Sequence, residues 1–479
     1  MVLPNEIWME IFAHADLRTL YAASLASRLL HATSCDAFIP HVGWKNPEGA
    51  RQHILTFWSR YPEKCKRMRT LSMQFMPQPK GQAIPFEAHR EIFTSMAMFG
   101  GLVEMVLCNI TVPDSFFVLL NKLPRLRRLS VRQAVIPRPP ETLSSPPPLE
   151  SLILAFLTPR HGREHAYSPY FLHLFPSTNS IKIDWDPCPH GGPLPTTSLC
   201  SPTYLSMGDD HMEFTWPSNV YLQALSRFDL NNLEHLVVNA PWLTFPPFPE
   251  EYPTHVFSSK LPRLRTLFAP LEMVFALVRS SSALTSVSVQ GGILYTERAL
   301  RLVDDLQRFC PLLTTLAFTL VLWDKSVVWD NSVVRSISER LPHLEALEIL
   351  YHQCDPACTS PCKPSQQLCA SDLSKFSNLH TLHIHPFPPV AWEGFFLAPP
   401  PQTPGHRDDF ASTPCAMRLA VETLTGSSRT LERVRLAYDH DASQTWVRVE
   451  GEWKAVEERH MDIEWSSASI LSEDLRYVM

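Results

Sequence analysis

Leu344-Glu345-Ala346-Leu347-Glu348-Ile349 carries the pattern that decides the fold: apolar, two variable residues, apolar, one variable residue, apolar. Leu347 and Ile349 are two apart, so they face the same side of a short strand. Leu344 turns in from the loop just before. The form recurs at Met68/Leu71/Met73, Leu102/Met105/Leu107, Leu126/Leu129/Val131 and Leu149/Leu152/Leu154. It continues at Leu233/Leu236/Val238, Leu264/Leu267/Ala269, Leu284/Val287/Val289 and Leu313/Leu316/Phe318. Leu379/Leu382/Ile384 and Leu431/Val434/Leu436 follow, and Ile181/Ile183/Trp185 is a weaker copy. Each unit leaves an apolar face that only a neighbouring unit can cover, so the units must stack.

Several copies are introduced by Leu123-Pro124, Leu261-Pro262, Leu341-Pro342 or Cys310-Pro311, where Pro interrupts a preceding helix. Helix-compatible stretches such as Phe116–Leu120 and Arg298–Phe309 lie between them. The pattern resembles leucine-rich repeats. Two departures mark it as irregular. The spacing of leading leucines runs from 20 (Leu264 to Leu284) to 52 (Leu379 to Leu431), and the Asn or Cys that usually follows the strand is mostly missing. An ordinary α/β domain with a parallel sheet is the alternative for the same strands.

On such strands the residues between the inward positions point outward. They include Ser72, Ser130, Arg132, Phe268, Ser288, Glu348, His383, His385 and Arg435. This predicts a mildly apolar face with few charges, suited to a protein partner. Arg132, Phe268, Glu348, His383, His385 and Arg435 are its candidate substrate-binding residues.

The N-terminus reads differently. Leu3-Pro4-Asn5-Glu6-Ile7-Trp8-Met9-Glu10-Ile11-Phe12 predicts a short amphipathic helix. Pro4 suits its first position and Glu6 its first turn. Ile7 with Ile11, and Trp8 with Phe12, recur at i,i+4. Asp16 is a candidate N-cap for a second helix bearing Leu17 and Leu20. By pattern alone this is a helical cap on a larger domain. With Ala22, Leu25-Ala26-Ser27-Arg28 and His31 added, the segment resembles an F-box, the part of F-box proteins that docks on the Skp adaptor of Skp–cullin–F-box ubiquitin ligases. Its departures are a short link between the first two helices and Leu29 where a tryptophan is common. The resemblance implies adaptor docking through Leu3, Pro4, Ile7, Ile11, Phe12, Leu17 and Leu20, and a cullin reached through that adaptor. It also implies a repeat array that holds a protein substrate, with no catalytic residue of its own. A repeat scaffold unlinked to ubiquitin is the alternative.

The composition sets bounds on function. A net charge of −6 over 479 residues argues against a nucleic-acid surface. No run of about twenty apolar residues suggests a membrane span, and the opening lacks a signal-peptide pattern. Eleven scattered cysteines predict reduced thiols and an intracellular setting, cytoplasmic or nuclear. Forty-four prolines against 15 glycines predict stiff loops, concentrated at 136–148, 186–202, 241–253 and 386–404. These read as surface loops first and as ligands for polyproline-binding domains second.

Two clusters contain metal-ligand residue types. Cys354, Cys358, Cys362 and Cys369 follow His352, but their spacing differs from zinc knuckles, so a surface insertion is the first reading. His383 and His385 share a strand face near His380, and solvent-facing histidines are the simpler account. Asp209-Asp210-His211 and Asp439-His440-Asp441 read as polar turns. No phosphate loop or nucleophile elbow is evident; no cofactor is expected. Thr445–Val456 alternates around Glu450-Gly451 and predicts a hairpin, with Met461–Trp465 as a further strand.

The expected architecture is therefore α/β: a helical F-box-like segment over 1–44, an irregular leucine-rich-repeat-like solenoid with a parallel sheet over 45–440, and a small β cap over 441–479.

Overall fold

A computed structural model describes residues 7, 8, 11, 12, 19, 22, 23, 26, 27, 30, 40–75, 86–137, 139–155, 157–159, 171–183, 200–208, 218–239, 260–293, 296–322, 332–353, 370–386, 421, 422, 426, 428, 430–439 and 442–456. The chain divides into two compact units, Met1–Asp209 with Ala224–Leu230 and Asp210–Gln223 with Asn231–Met479.

The first unit is built on parallel strands β1 (His41–Trp44), β2 (Thr70–Gln74), β3 (Glu104–Cys108), β4 (Arg128–Arg132), β6 (Ser151–Ala155), β8 (Ser180–Ile183) and β9 (Tyr204–Met207), adjacent in that order. A separate pair, β5 (Val135–Ile136) and β7 (Thr158–Pro159), forms a minor parallel ladder. Register is kept from repeat to repeat. Leu71, Met105, Leu129, Leu152, Ile181 and Leu205 oppose one another in turn, and so do Met73, Leu107, Val131, Leu154, Ile183 and Met207. All twelve are buried. β1 and β9 lack the full apolar spacing, yet both join the sheet. β1 falls within the segment 1–44.

Before β2 the chain makes a small helical knot. Asn46 caps the helix Pro47–His53 by accepting from Gly49 N–H at 2.6 Å, and Pro47 needs no partner at the first position. A π-helical turn, Ile54–Trp58, follows. Its aromatic rings pack with His53 and Phe99, which Trp44 also meets.

The second unit repeats the plan with β10 (His235–Val238), β11 (Thr266–Pro270), β12 (Ser286–Ile293), β13 (Thr315–Leu322), β14 (Ala346–Gln353), β15 (Thr381–Pro386) and β16 (Arg433–Asp439), all parallel. β17 (Ala442–Val449) and β18 (Glu452–Val456) then pair antiparallel, as the alternation predicts. Their turn places Glu450 and Gly451 at φ 55° and 88°, a left-handed pair that suits a tight hairpin. Met461–Trp465 and the cluster Cys354–Cys369 lie outside the described residues.

Two backbone devices explain why the motif dictates the strand. In Leu123-Pro124-Arg125-Leu126 the N–H of Leu126 donates to Leu123 O, so Pro is the second residue of a closed turn. Leu264, Leu313 and Leu344 close the same turn with Leu261, Cys310 and Leu341. This sharpens the expectation that Pro merely stops a helix. Next, in most motifs the two variable residues both donate to one carbonyl of the preceding repeat. Glu345 and Ala346 donate to Thr314 O, His380 and Thr381 to Glu345 O, and Glu432 and Arg433 to His380 O. Each buried strand entry is thus satisfied by its neighbour.

Helices of the second unit face one another through ion pairs. Arg298 meets Glu272 at 3.3 Å, Arg279 meets Asp305 at 3.4 Å, Arg340 meets Asp304 and Lys375 meets Glu339 at 2.7 Å. These join the helices Leu271–Val278, Thr296–Phe309 and Ser332–Arg340 to the repeats that follow. Their apolar sides, such as Ala299, Leu302, Val303 and Leu306, are buried. No described helix is long and apolar enough to cross a membrane.

Candidate functional site

At the N-terminus the two i,i+4 pairs differ in exposure. Trp8 and Phe12 stack at 5.6 Å with an interplanar angle of 28°, and Phe12 is 4% exposed. Ile7 and Ile11 remain 46% and 45% exposed. Large apolar side chains on one stripe, kept out of the core, are what a docking helix presents. Of the expected adaptor-binding residues, Leu3, Pro4, Leu17 and Leu20 lie outside the described residues. Phe12 is buried, so it is turned inward.

The outward residues of the sheets behave differently in the two units. In the second unit Phe268, Ser288, Ala317, Glu348, His383, Arg435 and Thr445 fall in one register row across seven strands. Four of the six expected substrate-binding residues are therefore brought together. The row is not the open face that alternation predicts. Glu348 is 0% exposed and His383 6%, while Phe268 and Arg435 are half-buried. Glu348, His383 and Arg435 are register neighbours on adjacent strands, whose backbones lie about 4.8 Å apart. Alternation alone assigns a face and cannot tell whether that face is covered. His385 sits one step along, opposite Leu350. Arg132 belongs to the first unit.

In the first unit the outward face is half-open. Arg128 and Arg132 are exposed, and Glu104, Val106, Ile153 and Lys182 are half-buried. Arg128 pairs with Glu104 across the strands at 3.6 Å, and Arg132 Nε donates to Ser130 Oγ at 3.1 Å. Arg128 and Lys182 were not among the expected site residues, although the same alternation beside Leu129 and between Ile181 and Ile183 points them outward.

Among the described residues no group of three or more His, Cys, Asp or Glu side chains is placed to hold a metal ion. Burial pushes the thiols of Cys200 and Cys310 up to about 12, with the charge of Asp305 adding to the effect at Cys310. Such thiols hold too little thiolate to react. Both are expected to resist a thiol reagent at pH 8 in the folded protein and to react within minutes in denaturant. Labelling followed by mass spectrometry checks this.

Two histidines report on acid. His53 Nδ1 accepts from Trp44 Nε1–H at 3.1 Å, and His89 Nδ1 lies 2.9 Å from Thr111 O and donates to it. Burial holds both imidazoles below the ordinary value, opposed at His89 by the Thr111 bond. The unfolded chain therefore takes up protons first. Their contribution to stability is fully present above the unfolded value of about 6.5 and is lost as pH falls below it. A denaturation midpoint that declines from pH 7 to pH 5, and less so in His89→Gln, is expected. The slope is at most about 1.4 kcal/mol per pH unit for one site.

No protein-family model matches the chain. No curated protein sequence matches it either. Among solved structures it is similar to the TLR13–ssRNA13 complex, at 15% identity and TM-score 0.34, over 67% of this chain and 39% of that one. It is also similar to the APL1 leucine-rich repeat domain, at 13% identity and TM-score 0.24, over 67% and 62%. The LRIM1/APL1C complex aligns at 12% identity and TM-score 0.27, over 86% and 58%. The chain thus spans less than two thirds of the length of each of these. Similarity this distant carries no argument about function, and the repeat architecture stands on the register and buried leucines of this chain.

Proposed function

We propose that this chain is a non-catalytic interaction scaffold in which an F-box-like N-terminal segment docks on a Skp adaptor and the repeats hold a protein substrate. The chain would then act as the substrate-recognition subunit of a Skp–cullin–F-box ubiquitin ligase. It supplies proximity and orientation, while the bond-making chemistry belongs to other subunits. The observation that carries this reading is the exposed Ile7–Ile11 pair backed by the Trp8–Phe12 stack. An intracellular setting is consistent with the free thiols at Cys65, Cys200 and Cys310.

Co-expression with a Skp adaptor tests the docking. The wild-type chain is expected to co-purify with it, and Ile7→Asp with Ile11→Asp to reduce the recovered adaptor at least tenfold. Undiminished recovery with the double variant would sink the docking claim. The inward position of Phe12 favours a second reading, in which the N-terminal helix caps the repeats and the scaffold works without a ubiquitin ligase. Absence of any adaptor in the wild-type purification selects that reading.

A further inference from the structure

We infer that the outward face of the first unit, over β3, β4, β6 and β8, binds an extended acidic segment of a partner protein. The inference rests on the scaffold reading and names the chemistry of what is held. The protein as a whole is acidic, at net −6. Against that background three cations, Arg128, Arg132 and Lys182, project from one sheet face around Ile153. Their placement follows from the register. Ile153 opposes Ser130 on β4 and Lys182 on β8, while Arg128 and Arg132 flank Ser130 by two residues on either side. By strand geometry Lys182 stands about 12 Å from Arg132, a spacing that an extended chain spans in about four residues.

Only one of the three cations has a carboxylate in reach among the described residues. Glu104 answers Arg128 at 3.6 Å. Arg132 instead donates to the neutral hydroxyl of Ser130, and Lys182 makes no ion pair among the described residues. Ile153 and, on the other side of Ser130, Val106 are half-buried apolar side chains. The face thus offers a central apolar seat with positive corners. An alternating acidic and apolar strand complements both, since its side chains point to opposite faces with period two. A nucleic acid would meet the same cations. The apolar seat decides against it, because it offers a phosphate backbone nothing.

The test uses the full chain and a fluorescein-labelled dodecapeptide of alternating glutamate and leucine, read by anisotropy in 50 mM and 300 mM salt. Expected are saturable binding and at least fivefold weakening at the higher salt. Arg132→Glu with Lys182→Glu should weaken binding at least tenfold, and Ile153→Asp at least threefold. Glu104→Gln frees Arg128 and should tighten binding about threefold. The inference is overturned if the double charge reversal binds like wild type, or if a lysine-for-glutamate peptide binds equally well. It is also overturned if a single-stranded RNA dodecamer binds more tightly than the peptide. Recovery of the Skp adaptor by the Arg132→Glu, Lys182→Glu variant is expected to match wild type, so failure here stays distinct from failure of the docking claim.

Discussion

Leu347→Ala is expected to destabilise the second unit by about 2–5 kcal/mol. Leu347 is fully buried on β14, between Leu316 on β13 and Leu382 on β15 in register. Truncation removes the transfer free energy of three carbons and leaves a cavity. The cavity cannot collapse easily, because the hydrogen bonds of Glu345 and Ala346 to Thr314 O hold the strand entry in place. In a stacked array each repeat is stabilised mainly by its neighbours, so the loss should spread to the adjacent strands and fade beyond them. Amide hydrogen exchange reads this out. Protection should fall most in β13, β14 and β15 and be unchanged in β2 and β3. Leu312→Ala is the control, since Leu312 is 59% exposed and its truncation should stay within about 0.5 kcal/mol. Equal effects from Leu312 and Leu347 would contradict the assignment of the buried row.

Gly101→Ala is the second large effect, expected at about 3 kcal/mol and confined to the first unit. A Cβ on Gly101 would clash with Lys66 O and come within 3.0 Å of Arg69 Nη1. The carbonyl is backbone and cannot swing away, and Arg69 Nη1 donates to Gly101 O at 2.9 Å, so the loop before β3 is pinned from both sides. Gly100 next to it has open space at the same position, and Gly100→Ala should be nearly silent. Chemical denaturation of the two single variants separates them. A Gly101→Ala chain as stable as Gly100→Ala would mean that the contact between the 66–69 and 99–102 loops is looser than described.

Much of the fold was legible from one motif. Leu126/Leu129/Val131 and its copies specify which residues enter the core, because stacking leaves each repeat one way to bury them. The Leu-Pro lead-ins mark where a preceding helix stops, and the structure adds that they close turns. Two strands of the main sheet escaped the pattern, β1 with His41-Val42-Gly43-Trp44 and β9 with Tyr204-Leu205-Ser206-Met207, since neither has a complete apolar spacing. β1 pairs with β2 and β9 with β8. The π-turn at Ile54–Trp58 escaped as well; its Trp58 packs on Phe99, far along the chain.

The candidate site was legible by face and illegible by exposure. Alternation put Arg132, Glu348, His383 and Arg435 on the outward side, and strand register then set Glu348, His383 and Arg435 in one row. Burial separated them. Arg132 stays in water, whereas Glu348 and His383 do not. At the N-terminus the i,i+4 spacing paired Ile7 with Ile11 and Trp8 with Phe12, but only the fold chose which pair turns inward.

What the amino-acid order alone determines here is periodicity. The period of two on strands, the Pro-marked turns and the stacked leucines are local properties, set by backbone sterics and by the need of each repeat to hide its apolar side. What the tertiary structure decides is solvent access. Exposure depends on every segment that passes near a residue, and those segments come from distant parts of the chain. For that reason the same alternation yields a half-open cationic face in the first unit and a buried polar row in the second.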